Sequence, residues 1–105
     1  MSTMDSAPTS PHVVTAEGDL DVGNLAPLEA RLRAAIAASP AVILDVGAVT
    51  FADSSFLNLL LRTHQNADLR IVGLHPPLDR LFQLVGVDGV LNVFPTVDEA
   101  RASSR

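Results

Sequence analysis

The sequence predicts an α/β fold: one domain with a mixed sheet of four or five strands and about four helices. Three observations carry this reading. A continuous apolar run, Ala41-Val42-Ile43-Leu44, and a second, largely apolar stretch, Leu69-Arg70-Ile71-Val72-Gly73-Leu74, have the character of buried strands and are too short for helices. Between and before them, apolar residues recur at helical spacing: Leu25, Leu28, Leu32 and Ile36, then Leu57, Leu60 and Leu61. Strand and helix signals therefore alternate along the chain, which implies crossover connections and a largely parallel or mixed sheet.

Taken in order, residues 1–11 (MSTMDSAPTSP) are rich in Ser, Thr and Pro and predict a flexible tail or a weak edge strand, with the domain proper spanning 12–105. The segment from His12, HVVTAEGDLD, reads as a strand interrupted by Gly18. Val22-Gly23-Asn24 bends the chain, and Asn24 is placed to cap the first helix. Pro27 falls in that helix's first turn, where a missing N–H is tolerated, and Ser39-Pro40 ends it. The apolar strand from Ala41 is expected to stop at Val46, leaving a connecting loop up to Asp53. Asp53-Ser54-Ser55 opens the second helix, and Gln65-Asn66-Ala67-Asp68 closes it. Beyond the next strand, Pro76-Pro77 starts a third helix carrying Leu78, Leu81, Phe82 and Val85. Gly86 is its expected C-terminal cap and Asp88-Gly89 a turn. Val90 to Phe94 predicts the last strand, and Thr96 with Glu99 three residues on is a capping box for a short final helix.

Composition narrows the function. At 105 residues, with 48% apolar and 18% charged, the chain supports one globular core. The absence of cysteine removes disulfides and thiolate metal sites and fits a reducing cytosol. A net charge of −5, with seven scattered arginines and no lysine, argues against nucleic acid as a partner. No basic region followed by an apolar one marks a secretion signal, and no apolar run approaches the ~18 residues of a membrane span. A cytoplasmic protein without a membrane partner is expected.

Catalytic and metal chemistry find little support. A serine nucleophile at Ser54 has His64 on the same helix, ten residues or roughly 15 Å further along the axis, and no nucleophile-elbow pattern surrounds it. His12, His64 and His75 form no ligand pair, and Asp19 with Asp21 make a poor cation cage. The six glycines never cluster as a phosphate loop requires. Asp19, Asp21, Asp45 and Asp53 would need a lysine to make a receiver-type pocket. No enzyme activity, metal or cofactor is expected.

Asp53-Ser54-Ser55 admits two readings. One is an ordinary helix N-cap, which a single side chain supplies for about 1 kcal/mol. The other starts from the excess: three candidates stand in a row, so at least one hydroxyl is spare. An exposed hydroxyl at a helix start is a reasonable phosphate acceptor, because the positive end of the helix dipole tolerates the product.

Ala41 to Leu61, AVILDVGAVTFADSSFLNLLL, resembles the signature of STAS domains, and specifically of bacterial anti-sigma factor antagonists. In that family a buried strand leads through a loop to Asp-Ser-Ser/Thr-Gly-Leu at a helix start. Gly18-Asp19-Leu20-Asp21 resembles the family's Gly-Glu-Leu-Asp turn; Pro76 to Phe82 and Phe94 to Ala100 resemble its later helix entries. The resemblance implies a phosphorylation switch. Ser54 would be phosphorylated by the anti-sigma factor, a histidine-kinase-like Ser/Thr kinase, and reset by a Ser/Thr phosphatase. The unphosphorylated protein would bind the kinase through Asp21, Asp53, Ser54, Ser55, Phe56 and Asn58. Phe56 and Asn58 stand where the family usually has glycine, so Phe56 is expected either to anchor in a partner's pocket or to obstruct the kinase. The alternative is an unphosphorylated STAS adaptor for a transporter ATPase or a signalling assembly.

Overall fold

Four strands pair in the order in which they occur along the chain, and every pairing is parallel. The structure, a computed structural model, describes residues 11–76 and 78–102. Within them lie β1 (His12–Leu20), α1 (Ala26–Ala38), β2 (Ala41–Ala52), α2 (Ser54–Asn66), β3 (Asp68–Val72), α3 (Leu78–Val85), β4 (Asn92–Phe94) and α4 (Val97–Ala102), with a single 3₁₀ turn at Val87–Gly89. The tail or weak edge strand expected at residues 1–11 falls, but for Pro11, outside the described residues; among these the sheet has four strands and is parallel throughout rather than mixed.

The layering follows from handedness. Each of the first three connections moves one strand in the same direction across the sheet. Right-handed crossovers then place α1, α2 and α3 on one face. The main core forms there: Leu28 and Leu32 of α1, Phe56 and Leu60 of α2 and Phe82 of α3 pack on Val42, Leu44, Leu69 and Ile71. Alternate strand residues point the other way, where Ile43 and Val72 meet Ala100 of α4, with Val13, Phe94 and Val97 alongside. β2 is thus covered on both faces, as its apolar run anticipates. Arg70 lies on the α4 side, buried, pairing with Asp68 at 2.9 Å and donating to the Ala100 carbonyl at 2.6 Å, which ties α4 to β3.

Three local expectations are corrected. β2 does not stop at Val46 but runs to Ala52, and the expected connecting loop is strand. Its pairing with β1 slips twice, from Thr15↔Asp45 to Glu17↔Ala48 and from Gly18↔Val49 to Asp19↔Phe51, so β2 takes up an extra residue each time. Such bulges break the alternation by which a strand is recognised in sequence. A close approach of two glycines holds the region together: a Cβ on Gly73, at φ +84°, would lie 2.7 Å from both the Asp45 carboxylate and the Gly47 nitrogen. Asn24 does not cap α1; Leu25 occupies that position without a side-chain bond, and Asn24 closes the preceding turn. β4 is shorter than Val90–Phe94 because the 3₁₀ turn draws Val90 and Leu91 back onto the Val87 carbonyl. Gly86 caps α3 in the left-handed conformation, and the Thr96 hydroxyl accepts from the Glu99 N–H, both as expected.

Candidate functional site

A parallel sheet gathers all its strand C-termini at one edge, and the helix starts that follow them collect there too. At this edge the end of β1 is joined to the start of α2: the Asp53 N–H donates to the Leu20 carbonyl at 3.2 Å. Asp53 is extended, and its carboxylate accepts from the Ser55 N–H at 2.9 Å. One residue therefore does all the side-chain capping that α2 receives. Ser54, the first helical residue, is exposed, and its hydroxyl has no hydrogen-bond partner among the described residues. Ser55 is half-buried, and Asn58, one turn on, is exposed.

Phe56 is a correction to the expected docking surface. Its ring is 0% exposed and belongs to the main core with Leu57 and Leu60. The helical period decides this: with Ser54 turned to solvent, the third residue of the helix faces the sheet. Phe56 is neither an anchor for a partner's pocket nor a ring screening the Ser54 hydroxyl.

The β1–α1 turn is built by its own side chains. The Asp21 carboxylate accepts from the Gly23 N–H, Asn24 Oδ1 accepts from the Asp21 N–H, and Asn24 Nδ2 donates to the Asp19 carbonyl, all within 2.7–2.8 Å. The Thr50 hydroxyl donates to the Asp19 carboxylate, joining the ends of β1 and β2. A groove of about 380 Å³ runs from Val22 and Leu25 of this turn to Ser55, Asn58 and Arg62 of α2. Arg62 is engaged with Glu29 across it at 3.5 Å, and Glu29 also holds Arg33 at 3.2 Å. The structure thus brings Asp53, Ser54, Ser55 and Asn58 onto one surface, with the Asp21 turn beside them. Among the described residues no group of three or more His, Asp or Glu side chains could hold a metal ion.

Two exposed apolar residues flank this surface and went unread in the sequence: Val22, 79% exposed, and Phe51, 56% exposed. The available signal was an aromatic residue two positions before the cap, in a stretch lacking strand alternation.

The STAS domain family model matches residues 5–100. The chain belongs to the STAS domain family. Among solved structures, this STAS domain is similar to an anti-sigma factor antagonist from Mycobacterium paratuberculosis, with 32% identity over 84% of this chain and 80% of that one and a TM-score of 0.74. The anti-sigma factor antagonist SpoIIAA in its unphosphorylated form matches at 24% identity over 88% of this chain and 86% of its own, with a TM-score of 0.66. Bacillus SpoIIAA in its phosphorylated form matches at 23% identity over 84% and 85%, with a TM-score of 0.60. At these lower identities the likeness to SpoIIAA is one of fold. A search of curated proteins found no match. Among the described residues no helix is long and apolar enough to cross a membrane.

Proposed function

We propose that this STAS domain is an anti-sigma factor antagonist, a cytoplasmic binding switch and not an enzyme. Unphosphorylated, it sequesters an anti-sigma factor that is itself a histidine-kinase-like Ser/Thr kinase. Phosphorylation of Ser54 by that kinase releases it, and a Ser/Thr phosphatase restores the binding form. The observation that supports this reading is the division of labour at the α2 start: Asp53 performs the capping, and the Ser54 hydroxyl stands exposed and unengaged.

The switch acts on the interface and leaves the fold in place. A phosphate at the first position of α2 gains roughly 0.3–1 kcal/mol from the helix dipole. The nearby Asp53 carboxylate opposes it by a comparable amount. Neither effect rivals the ~5–15 kcal/mol that stabilises a domain. Docking is more sensitive, because covering Ser54 would bury a charge approaching −2, and an unpaired buried charge costs several kcal/mol. Each 1.4 kcal/mol is about tenfold in affinity, so release requires only a fraction of that penalty.

The competing reading is a passive adaptor for a transporter ATPase or a signalling assembly. A permanent contact of that kind would be suited by an exposed aromatic in the first turn of α2, but Phe56 is in the core and gives it no support. Incubation with ATP and an anti-sigma kinase from the same organism, followed by peptide mass analysis, tests the proposal. The expected result is one phosphoryl group on Ser54 and loss of the complex. Stable binding with Ser54 unmodified would favour the adaptor.

A further inference from the structure

Between the end of β2, which leads into Ser54, and α3 lies an apolar cleft of about 200 Å³ lined by Val49, Thr50, Phe51, Ala52, Leu78 and Leu81. The one polar side chain in its wall, Thr50, has its hydroxyl directed to the Asp19 carboxylate. What remains is aliphatic and aromatic, and Phe51, over half exposed, forms one lip. An exposed aromatic ring beside an apolar cleft is the kind of surface that a partner's side chain covers in a binding interface.

The charges around it define the partner. The β1 end, the β1–α1 turn and the starts of α2 and α3 carry Asp19, Asp21, Asp53 and Asp79 with Arg80. Arg62, in the groove with Ser55 and Asn58, is paired with Glu29, and Arg31 lines a pocket with Glu17. A second copy of this chain would bring the same carboxylates and a net charge of −5 to the contact, so self-association through this face is opposed by like-charge repulsion.

We propose that this cleft is the anchor point for a partner segment presenting one aliphatic or aromatic side chain flanked by basic residues. This deepens the reading of Ser54 as the centre of a docking face and rests on it. The apolar side chain fills the cleft against Phe51 and Leu81, while the flanking basic groups meet the carboxylates one for one. With those basic groups engaged and Arg62 paired with Glu29, a phosphate on Ser54 adds unmatched negative charge, which makes the docked complex intolerant of that modification.

The test uses the full chain, labelled for NMR, and a hexapeptide of two central leucines flanked on each side by two arginines. Saturable shifts are expected at Val49, Phe51, Leu78 and Leu81. Phe51→Ser should bind roughly tenfold more weakly, a loss of about 1.4 kcal/mol. The same peptide with glutamates in place of arginines should leave these signals unmoved. Because Phe51 is exposed, its substitution leaves the core intact, which circular dichroism verifies. Shifts scattered away from the cleft, equal binding by Phe51→Ser or by the glutamate peptide, or the same shifts on concentrating the protein alone would each overturn the proposal. The peptide contains no kinase and no nucleotide, so its failure concerns the cleft, whereas failure to phosphorylate Ser54 concerns the switch.

Discussion

Replacing Phe56 with alanine separates a core role from a docking role. The ring is 0% exposed and, with Phe82, is one of the two largest fully buried side chains. It sits in the first turn of α2, packed into the layer between helix and sheet. Truncation of such a phenylalanine removes its buried apolar surface and leaves a cavity, at about 3–5 kcal/mol. The better helix propensity of alanine returns only about 0.5 kcal/mol. A domain of this size has ~5–15 kcal/mol in total, so the variant should fold but with much of its margin gone. Phe56→Leu should lose less than about 1.5 kcal/mol, because it keeps most of the volume. Phe56→Gly, which restores the residue usual in the family, should be worse than alanine by about 1 kcal/mol. Since the chain has neither Trp nor Tyr, urea unfolding is followed by far-ultraviolet circular dichroism. The midpoint should fall by roughly 1–3 M with the slope unchanged. A loss below about 1 kcal/mol, accompanied by weaker partner binding, would put the ring on the surface and refute the reasoning.

Ser54→Asp should weaken binding to the anti-sigma partner while the thermal midpoint moves by less than about 4 °C, since an exposed helix start absorbs the charge; calorimetric binding and melting curves on the same samples check both halves. Asp53→Ala removes the side-chain cap of α2 and should lower stability by about 1 kcal/mol, with Asp53→Asn close to wild type in the same denaturation assay. Gly73→Ala and Gly86→Ala form a matched pair, since both glycines have φ near +85° but only Gly73 is crowded. The Gly86 variant should lose about 1–2 kcal/mol for the left-handed backbone alone. The Gly73 variant should lose clearly more, because its Cβ would collide with the Gly47 backbone; equal losses would mean that the β2–β3 approach is looser than described.

The alternation of elements, the buried central strand and the capping chemistry at Gly86 and Thr96 were legible in the sequence because they depend on neighbours a few residues apart. Apolar spacing and turn residues report such short-range preferences directly. The path of β2 past Val46 was not legible. Its pairing depends on bulges against β1, and Gly47-Ala48 carries no strand signal of its own. Asn24 misled for a related reason: a capping residue near a helix start has two backbone targets, and only the closed turn shows which one it takes.

At the candidate site, the residues Asp53, Ser54 and Ser55 stood out by type, but type does not say which side chain caps and which is free. That was settled by the helical phase of α2 relative to the sheet. The phase turned Phe56 into the core and left Ser54 in solvent. Phe51 and Val22 are exposed at the borders of the candidate surface, an arrangement that exists only once the ends of β1 and β2 are brought to the same edge. Local preference determined the elements of this protein and the chemistry of the triplet. Long-range packing alone decided which faces are open, because exposure depends on every chain segment that folds over a residue.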